Sequence, residues 1–317
     1  MQNVNNDVKK SKEIKWSYSR LSCYKQCHFQ YKLKYVDKHF PPFGNVATEF
    51  GTAIHHAEET IGNFIKDNQP INYVQVKNQF ILDCAKTSFK YKEWFQQNKD
   101  SGKTYEEQKY YYLKYGVYRL ENFMKAHPTY IIKGAEVPID YYYKDKRFTG
   151  SIDRLLFDTA TGIYYIQDIK SWPVMEPKHT EDKKLPVQLA VYSLALSEMV
   201  GCDLDHIKCQ YDLPLVDNIY DAGEPGFIDA TKEHLDEWFA GIEAQDWHPV
   251  ATALCAWCPF SATNPDSSKD FKYLCPYHSV WDRELKAKGT SNKPANHWAG
   301  IENHESIMEN YLRKEVK

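Results

Sequence analysis

The sequence predicts an α/β fold: a central mixed sheet flanked by helices, with a helical region before it and a cysteine-bearing module after it. Three observations predict it. Residues 150–157 and 164–171 read as strands joined by the turn sequence Asp158-Thr159-Ala160-Thr161-Gly162. Before Tyr130, apolar residues recur at helical spacing. After the hairpin, a helical pattern from about Pro186 to Val200 leads into a strand-like run, Ile207 to Val216. Helices, strands, helix, strand is the element order of a mixed α/β domain.

The elements follow in order. Residues 1–15 are polar and mixed in charge and read as a loose tail. Ser17 can cap a helix running to about Val36, with Leu21, Tyr24, Tyr31 and Tyr35 available for one side. Pro41-Pro42-Phe43-Gly44 ends it. Phe50, Ile54, Ala57, Ile61, Phe64 and Ile65 give a second helix its apolar face. Two more helices, over 73–98 and 105–126, form a helical insertion, and Tyr110-Tyr111-Tyr112 reads as packing. From Tyr130 the period changes: Ala135, Val137 and Ile139 alternate with Glu136 and Asp140. The hairpin follows, then a polar loop from Ser171 to Lys184. The next helix has proline in its first turn. Residues 230–245 read as helix, 247–278 as the cysteine module, and 283–317 as a charged linker with a short helix. One domain thus spans 16–282.

Composition narrows the class. The chain has 317 residues, 42% of them hydrophobic and 15% aromatic, which suits a large buried core and excludes a disordered chain. No apolar run approaches the ~20 residues of a membrane span, and Met1 to Lys15 has no signal-peptide core. A soluble intracellular protein is expected. The net charge of −3 does not announce a nucleic-acid partner. Between Lys9 and Lys38, however, basic residues interleave with Tyr18, Tyr24, Phe29, Tyr31 and Tyr35. An amphipathic helix explains this pattern, and the same rings and charges suit a nucleic-acid path. Clustered cysteines in such a protein suggest a metal or iron–sulfur site more than disulfides.

The hairpin carries the chemistry. Counting back from a Thr159–Gly162 loop sets Asp153 opposite Asp168. Side chains alternate along a strand, so Asp168 and Lys170 share a face, roughly 7 Å apart. Two carboxylates facing each other destabilise a sheet unless a cation lies between them. Oxygen donors suit Mg²⁺ or Mn²⁺. The bland alternative is a solvated charged face.

Further pieces fit one pattern. Phe50-Gly51-Thr52-Ala53-Ile54-His55 opens with Gly-Thr and places a histidine one turn on. Glu136 precedes the hairpin, and Gln188 and Tyr192 follow it, four apart on one helix face. With Asp153 and Asp168-Ile169-Lys170, this order resembles the PD-(D/E)XK nuclease superfamily. It is most similar to the branch containing the RecB and AddB nuclease domains and the CRISPR-associated exonucleases with an iron–sulfur cluster. Ser17-Tyr18-Ser19-Arg20-Leu21, with Cys27 and Tyr31 downstream, also looks like that branch. The resemblance covers about 17–278. It implies a restriction-endonuclease-like core with His55, Asp153, Asp168 and the Ile169 carbonyl as metal ligands and Lys170 as catalytic lysine. Glu136 matches the acidic residue preceding that core. Gln188 and Tyr192 match the Gln-x-x-x-Tyr motif that positions DNA and the lysine. His56 is the neighbouring alternative to His55.

Cys255-Ala256-Trp257-Cys258 and Cys275-Pro276 supply three thiols. The resemblance implies a 4Fe-4S cluster with Cys27 as fourth ligand, clasping the two ends of the domain. Cys23, one turn away, and His278 compete for that place, and Zn²⁺ is the rival occupant. Sixteen residues separate Cys258 from Cys275, more than the family usually has, and Asn264 to Asp270 reads as a surface insertion. Cys84, Cys202 and Cys209 lack partner spacing.

The expected activity is Mg²⁺- or Mn²⁺-dependent DNA exonuclease action in recombination, repair or phage DNA processing, in the cytoplasm of a bacterial or phage-infected cell. A non-enzymatic DNA-binding scaffold and a structure-specific endonuclease are the alternatives. There is no Gly-x-x-x-x-Gly-Lys-Ser/Thr phosphate loop. A helicase, recombinase or annealing partner would therefore be a separate polypeptide.

Overall fold

The computed structural model describes residues 14–41, 46–85, 104–176, 183–250, 254–255, 258–261 and 270–275. The expected tail (1–13), the helix beyond Ala85, the break at 42–44, the insertion at 264–269, His278 and the segment 283–317 lie outside the described residues. In chain order the helices are α1 (Tyr18–Gln26), α2 (His28–Tyr31), α3 (Val46–Lys66), α4 (Tyr73–Ala85), α5 (Tyr105–Lys114), α6 (Arg119–Ala126), α7 (Val187–Val200) and α8 (Phe227–Glu243). The strands are β1 (Tyr130–Tyr143), β2 (Lys146–Asp158), β3 (Ile163–Ile169), β4 (Ile207–Leu213) and β5 (Asn218–Asp221). Met1–Tyr18 and Val46–Ile228 form one compact unit, and Ser19–Asn45 and Asp229–Lys317 form another.

The first unit is built on a mixed five-stranded sheet of order β1-β2-β3-β4-β5. The β1–β2, β2–β3 and β4–β5 pairs are antiparallel, and β3–β4 is parallel. A parallel pair needs a crossover, and α7 supplies it. The β2–β3 turn is the four-residue Thr159–Gly162 connection that the sequence predicts. Gly162 adopts φ +72° there and its N–H bonds back to the Asp158 carbonyl at 2.8 Å. β5 has only four residues and the sequence gives it no strand pattern; pairing with β4 creates it.

α3 is helical because its apolar residues form one stripe. Phe50, Ile54, Ala57 and Ile61 are all buried, against Phe80 of α4, Tyr105 and Tyr112 of α5, Leu120 of α6, and Leu156 and Ile169 of the sheet. The helix expected over 105–126 is divided. Thr104 and Glu107 close a capping box at its start, and a 3₁₀ turn at Gly116–Tyr118 separates α5 from α6. Glycine is required at 116: a Cβ there would meet the Tyr112 ring at 2.4 Å. Tyr112 of the tyrosine run is buried and donates to Glu58 at 2.9 Å, while Tyr110 is exposed.

A buried ionic cluster crosses this unit. Arg154 of β2, 1% exposed, donates to Glu58 of α3 at 2.6 Å, to Gln167 of β3 at 3.1 Å, and to Asp212 of β4. Arg119 of α6 pairs with the other oxygen of Asp212. Two guanidiniums balance two carboxylates, which is what makes their burial tolerable.

In the second unit the helix expected to run from Ser17 to Val36 is interrupted. Cys27 is extended (φ −164°, ψ 116°) and becomes the N-cap of α2, its Sγ accepting from Gln30 N–H. A wider π turn then covers Lys32–Val36. Tyr24 of α1 lies against α8, where a Cβ at Gly241 would meet its hydroxyl at 2.3 Å. Among the described residues no helix is long and apolar enough to cross a membrane.

Candidate active site and cysteine pocket

The β2–β3 ladder runs from Asp158–Ile163 to Arg154–Gln167. One step further sets Asp153 beside Asp168, as the turn length predicts. Alternation sends Arg154 to the α3 face and Asp153 to the opposite one. Asp153 is 8% exposed and Asp168 1%, so solvent screens their repulsion poorly. Asp153 Oδ2 accepts from Ile169 N–H at 2.7 Å. Burial, reinforced by Asp168, pushes the Asp153 carboxyl up to about 8.

Lys170 Nζ lies 2.6 Å from Asp168 Oδ2. Burial works against its ammonium, but Asp168 and then Asp153 outweigh it and hold the pKa above the ordinary lysine value. Its backbone N–H bonds to the Asp212 carbonyl at 2.8 Å, which fixes the residue just past the end of β3. Gln188 Oε1 accepts from Lys170 Nζ at 3.2 Å, and Gln188 Nε2 donates to Tyr192 Oη at 3.1 Å. The two α7 residues thus extend a continuous polar chain, Asp168–Lys170–Gln188–Tyr192. Burial raises the Tyr192 pKa, so the phenol stays protonated.

His55 enters from α3. Its Nε2 is 2.7 Å from the Ile169 carbonyl, and its Nδ1 is 3.6 Å from Asp153 Oδ2. A carbonyl only accepts, so Nε2 carries the hydrogen and Nδ1 presents a lone pair. Burial lowers its pKa, although Asp168 opposes this, and favours the neutral form that binds metals. Gly51 permits the approach of α3: a Cβ there would stand 3.3 Å from Ser171 Oγ. His56 is exposed and turns away to Asp83.

Glu136 departs from the plain alternation expected of its strand. An extra residue in β1 shifts the β1–β2 register between Ile132 and Gly134, and Glu136 adopts φ +50°. A left-handed conformation costs a glutamate about 1–3 kcal/mol. The ligand atoms of Glu136, His55 and Asp153 all lie within 4.8 Å of one another. Asp168 Oδ1 is buried without a hydrogen-bond partner. Several carboxylates around an imidazole, with an orphaned oxygen, fit a hard divalent cation. The Ile169 carbonyl, expected as a ligand, here accepts from His55. The Ile169 N–H bond to Asp153 and the Asp212 tether of Lys170 left no signal in the sequence, because backbone atoms make them.

In the second unit Cys27, Cys255, Cys258 and Cys275 line one pocket, walled by Phe29, Leu33, Val250 and Phe260. Cys23 is not among its lining residues. Cys27 Sγ accepts from Gln30 and Val250 N–H, each at 3.4 Å. Burial, against those hydrogen bonds, still raises its pKa. Burial and then the neighbouring thiols push Cys258 up to about 12.

No curated protein matches the chain significantly. The family model of the PD-(D/E)XK nuclease superfamily matches residues 15–263, a span that includes the sheet, α3, α7 and every hairpin residue described above. The chain therefore belongs to the PD-(D/E)XK nuclease superfamily, whose members are metal-dependent nucleases acting on DNA.

Proposed function

We propose that this chain is a Mg²⁺- or Mn²⁺-dependent DNA exonuclease whose second unit holds a 4Fe-4S cluster. The observation that carries the catalytic part is the Asp168–Lys170–Gln188–Tyr192 chain running beside the orphaned Asp168 oxygen. His55, Asp153 and Asp168 would hold the ion, with the Ile169 carbonyl and Glu136 beside them. A bound ion polarises the phosphodiester and acidifies its water. The remaining work falls to the protein. Lys170 orients the attacking water or meets the negative charge that develops on phosphate. Gln188 and Tyr192 fix the direction of its ammonium. Asp153 must release a proton to act as a ligand.

For the cluster, one pocket gathers the four thiols, and the resemblance to the iron–sulfur branch favours iron–sulfur over zinc. Pocket lining favours Cys27 over Cys23 as the fourth ligand. The exonuclease assignment rests on the resemblance to the iron–sulfur branch, and a separate recombinase, annealing protein or helicase would supply the pathway context. End-labelled linear, end-blocked and circular duplexes test it with Mg²⁺ or Mn²⁺. Loss of cleavage on the blocked and circular forms is expected. Equal cleavage of the circle would make the enzyme an endonuclease.

A further inference from the structure

We propose that His28, Asp246 and His248 form a separate site for a divalent transition metal in the second unit. Their ligand atoms lie within 4.8 Å of one another. His28 Nδ1 is 3.3 Å from Asp246 Oδ2, and His248 Nδ1 contacts Asp246 Oδ1. The two imidazoles meet edge to face, centroids 4.4 Å apart. His28 Nδ1 is a buried atom with no properly aligned hydrogen bond, its proximity to the carboxylate notwithstanding. Its lone pair or proton is therefore aimed at Asp246 without being well used there.

The backbone builds this arrangement. Cys27 breaks α1 from α2, so His28 starts a new helix, and Tyr24 stacks flat on its ring at 3.9 Å. On the other side Gln245 takes φ +56° just after α8 and ends the helix, and Asp246 follows. Trp247 stacks on Tyr31 at 5.8 Å. Asp246 Oδ1 accepts from His248 N–H at 3.4 Å, a local turn that keeps His248 beside the carboxylate facing His28. The Cys27 sulfur is committed elsewhere, to Gln30 and Val250 N–H in the thiol pocket.

The donor chemistry selects the ion. Two imidazoles and one carboxylate suit zinc with a fourth position left open, and disfavour Mg²⁺, which prefers oxygen. The site is open on one side: the His28, Asp246 and His248 side chains are 19%, 40% and 42% exposed. An ion there would join α2 to the segment after α8, two pieces of chain more than 200 residues apart in sequence. Ordinary closure of so long a loop is entropically costly, and a cross-link offsets part of it.

The test uses the full chain with its cysteine-bound metal intact, in a His55→Ala/Asp168→Ala background that removes the hairpin site. Co²⁺ is titrated as the spectroscopic probe, and Zn²⁺ is then used to displace it. The expected result is one equivalent with weak visible bands and no sulfur-to-cobalt charge-transfer band. His28→Gln and His248→Gln should each weaken binding at least about tenfold, on the scale set by losing one shell partner. Partly exposed His248 makes the safer variant, so it decides alone if His28→Gln fails to fold. Absence of the equivalent, a sulfur band, or undiminished binding in folded His248→Gln would overturn the proposal.

Discussion

The hairpin site and the cysteine pocket both crowd groups that repel one another when ionised, and they solve the problem in opposite ways. At the hairpin the protein supplies the counter-charge. Lys170 sits on Asp168, Ile169 N–H binds Asp153, and Gln188 and Tyr192 hold the lysine. The strands that carry these groups are bound together by the Arg154–Glu58–Asp212–Arg119 cluster. In the pocket apolar walls surround the thiols, and burial raises the pKa of Cys27 and Cys258. The first arrangement is organised before any ion arrives. On the proposed reading, the second would gain its cohesion when a cluster replaces the thiol protons. Ion removal should therefore silence the hairpin without unfolding it, and cofactor removal should loosen the second unit.

The largest effect expected on this contrast comes from Lys170→Met. Cleavage rate should fall about 10²–10³-fold, the scale of losing one preorganised charge donor, while far-UV circular dichroism and DNA binding stay unchanged. Retained activity would mean that Lys170 only offsets Asp168. Next, Arg154→Met should destabilise the first unit by about 3–5 kcal/mol, because it strands the buried Glu58 carboxylate and leaves Asp212 to Arg119 alone. Denaturant titration would show this, and a loss under ~1 kcal/mol would remove the cluster from the account. Gln188→Ala should lower kcat about tenfold, or ~1.4 kcal/mol, with KM little changed if the residue steers Lys170 and KM raised if it mainly holds DNA.

A pH dependence sharpens the same contrast. The Asp153 carboxyl titrates at about 8 in the ion-free fold and near ~3.9 when unfolded. Between those values the folded state binds the extra proton, so ion-free stability falls as pH rises from ~4 to about 8. Ligation needs the proton gone, so Mn²⁺ affinity should rise over the same window and level off above it. Asp153→Asn should flatten the stability profile, and an unchanged profile in that variant would reassign the titration.

What could be read from the sequence was whatever strand alternation and turn chemistry control. The Asp158–Gly162 turn fixed the register, and the register alone set Asp153 beside Asp168. Sequence pattern was silent where a single residue changes the backbone. The break at Cys27 lacks proline or glycine, and the apolar pattern runs through it, so it read as continuous helix. The register shift at Ile132–Gly134 and the left-handed Glu136 are not encoded by alternation. Arg154 did leave a trace: beside Asp153 in a strand it must face the other way, into the core, and so needs buried carboxylates. Its partners Glu58 and Asp212 are too distant in sequence to name. The same distance hid the pairing of His28 with Asp246 and His248.

The most direct test of the central claim is the initial rate of linear duplex cleavage with Mn²⁺, compared among wild type, Asp168→Asn, and wild type with chelator. The account predicts cleavage only in ion-loaded wild type, with Asp168→Asn folded and inactive. Cleavage that survives the chelator, or an Asp168→Asn rate within about twofold of wild type, would contradict a hairpin-held ion as the seat of catalysis.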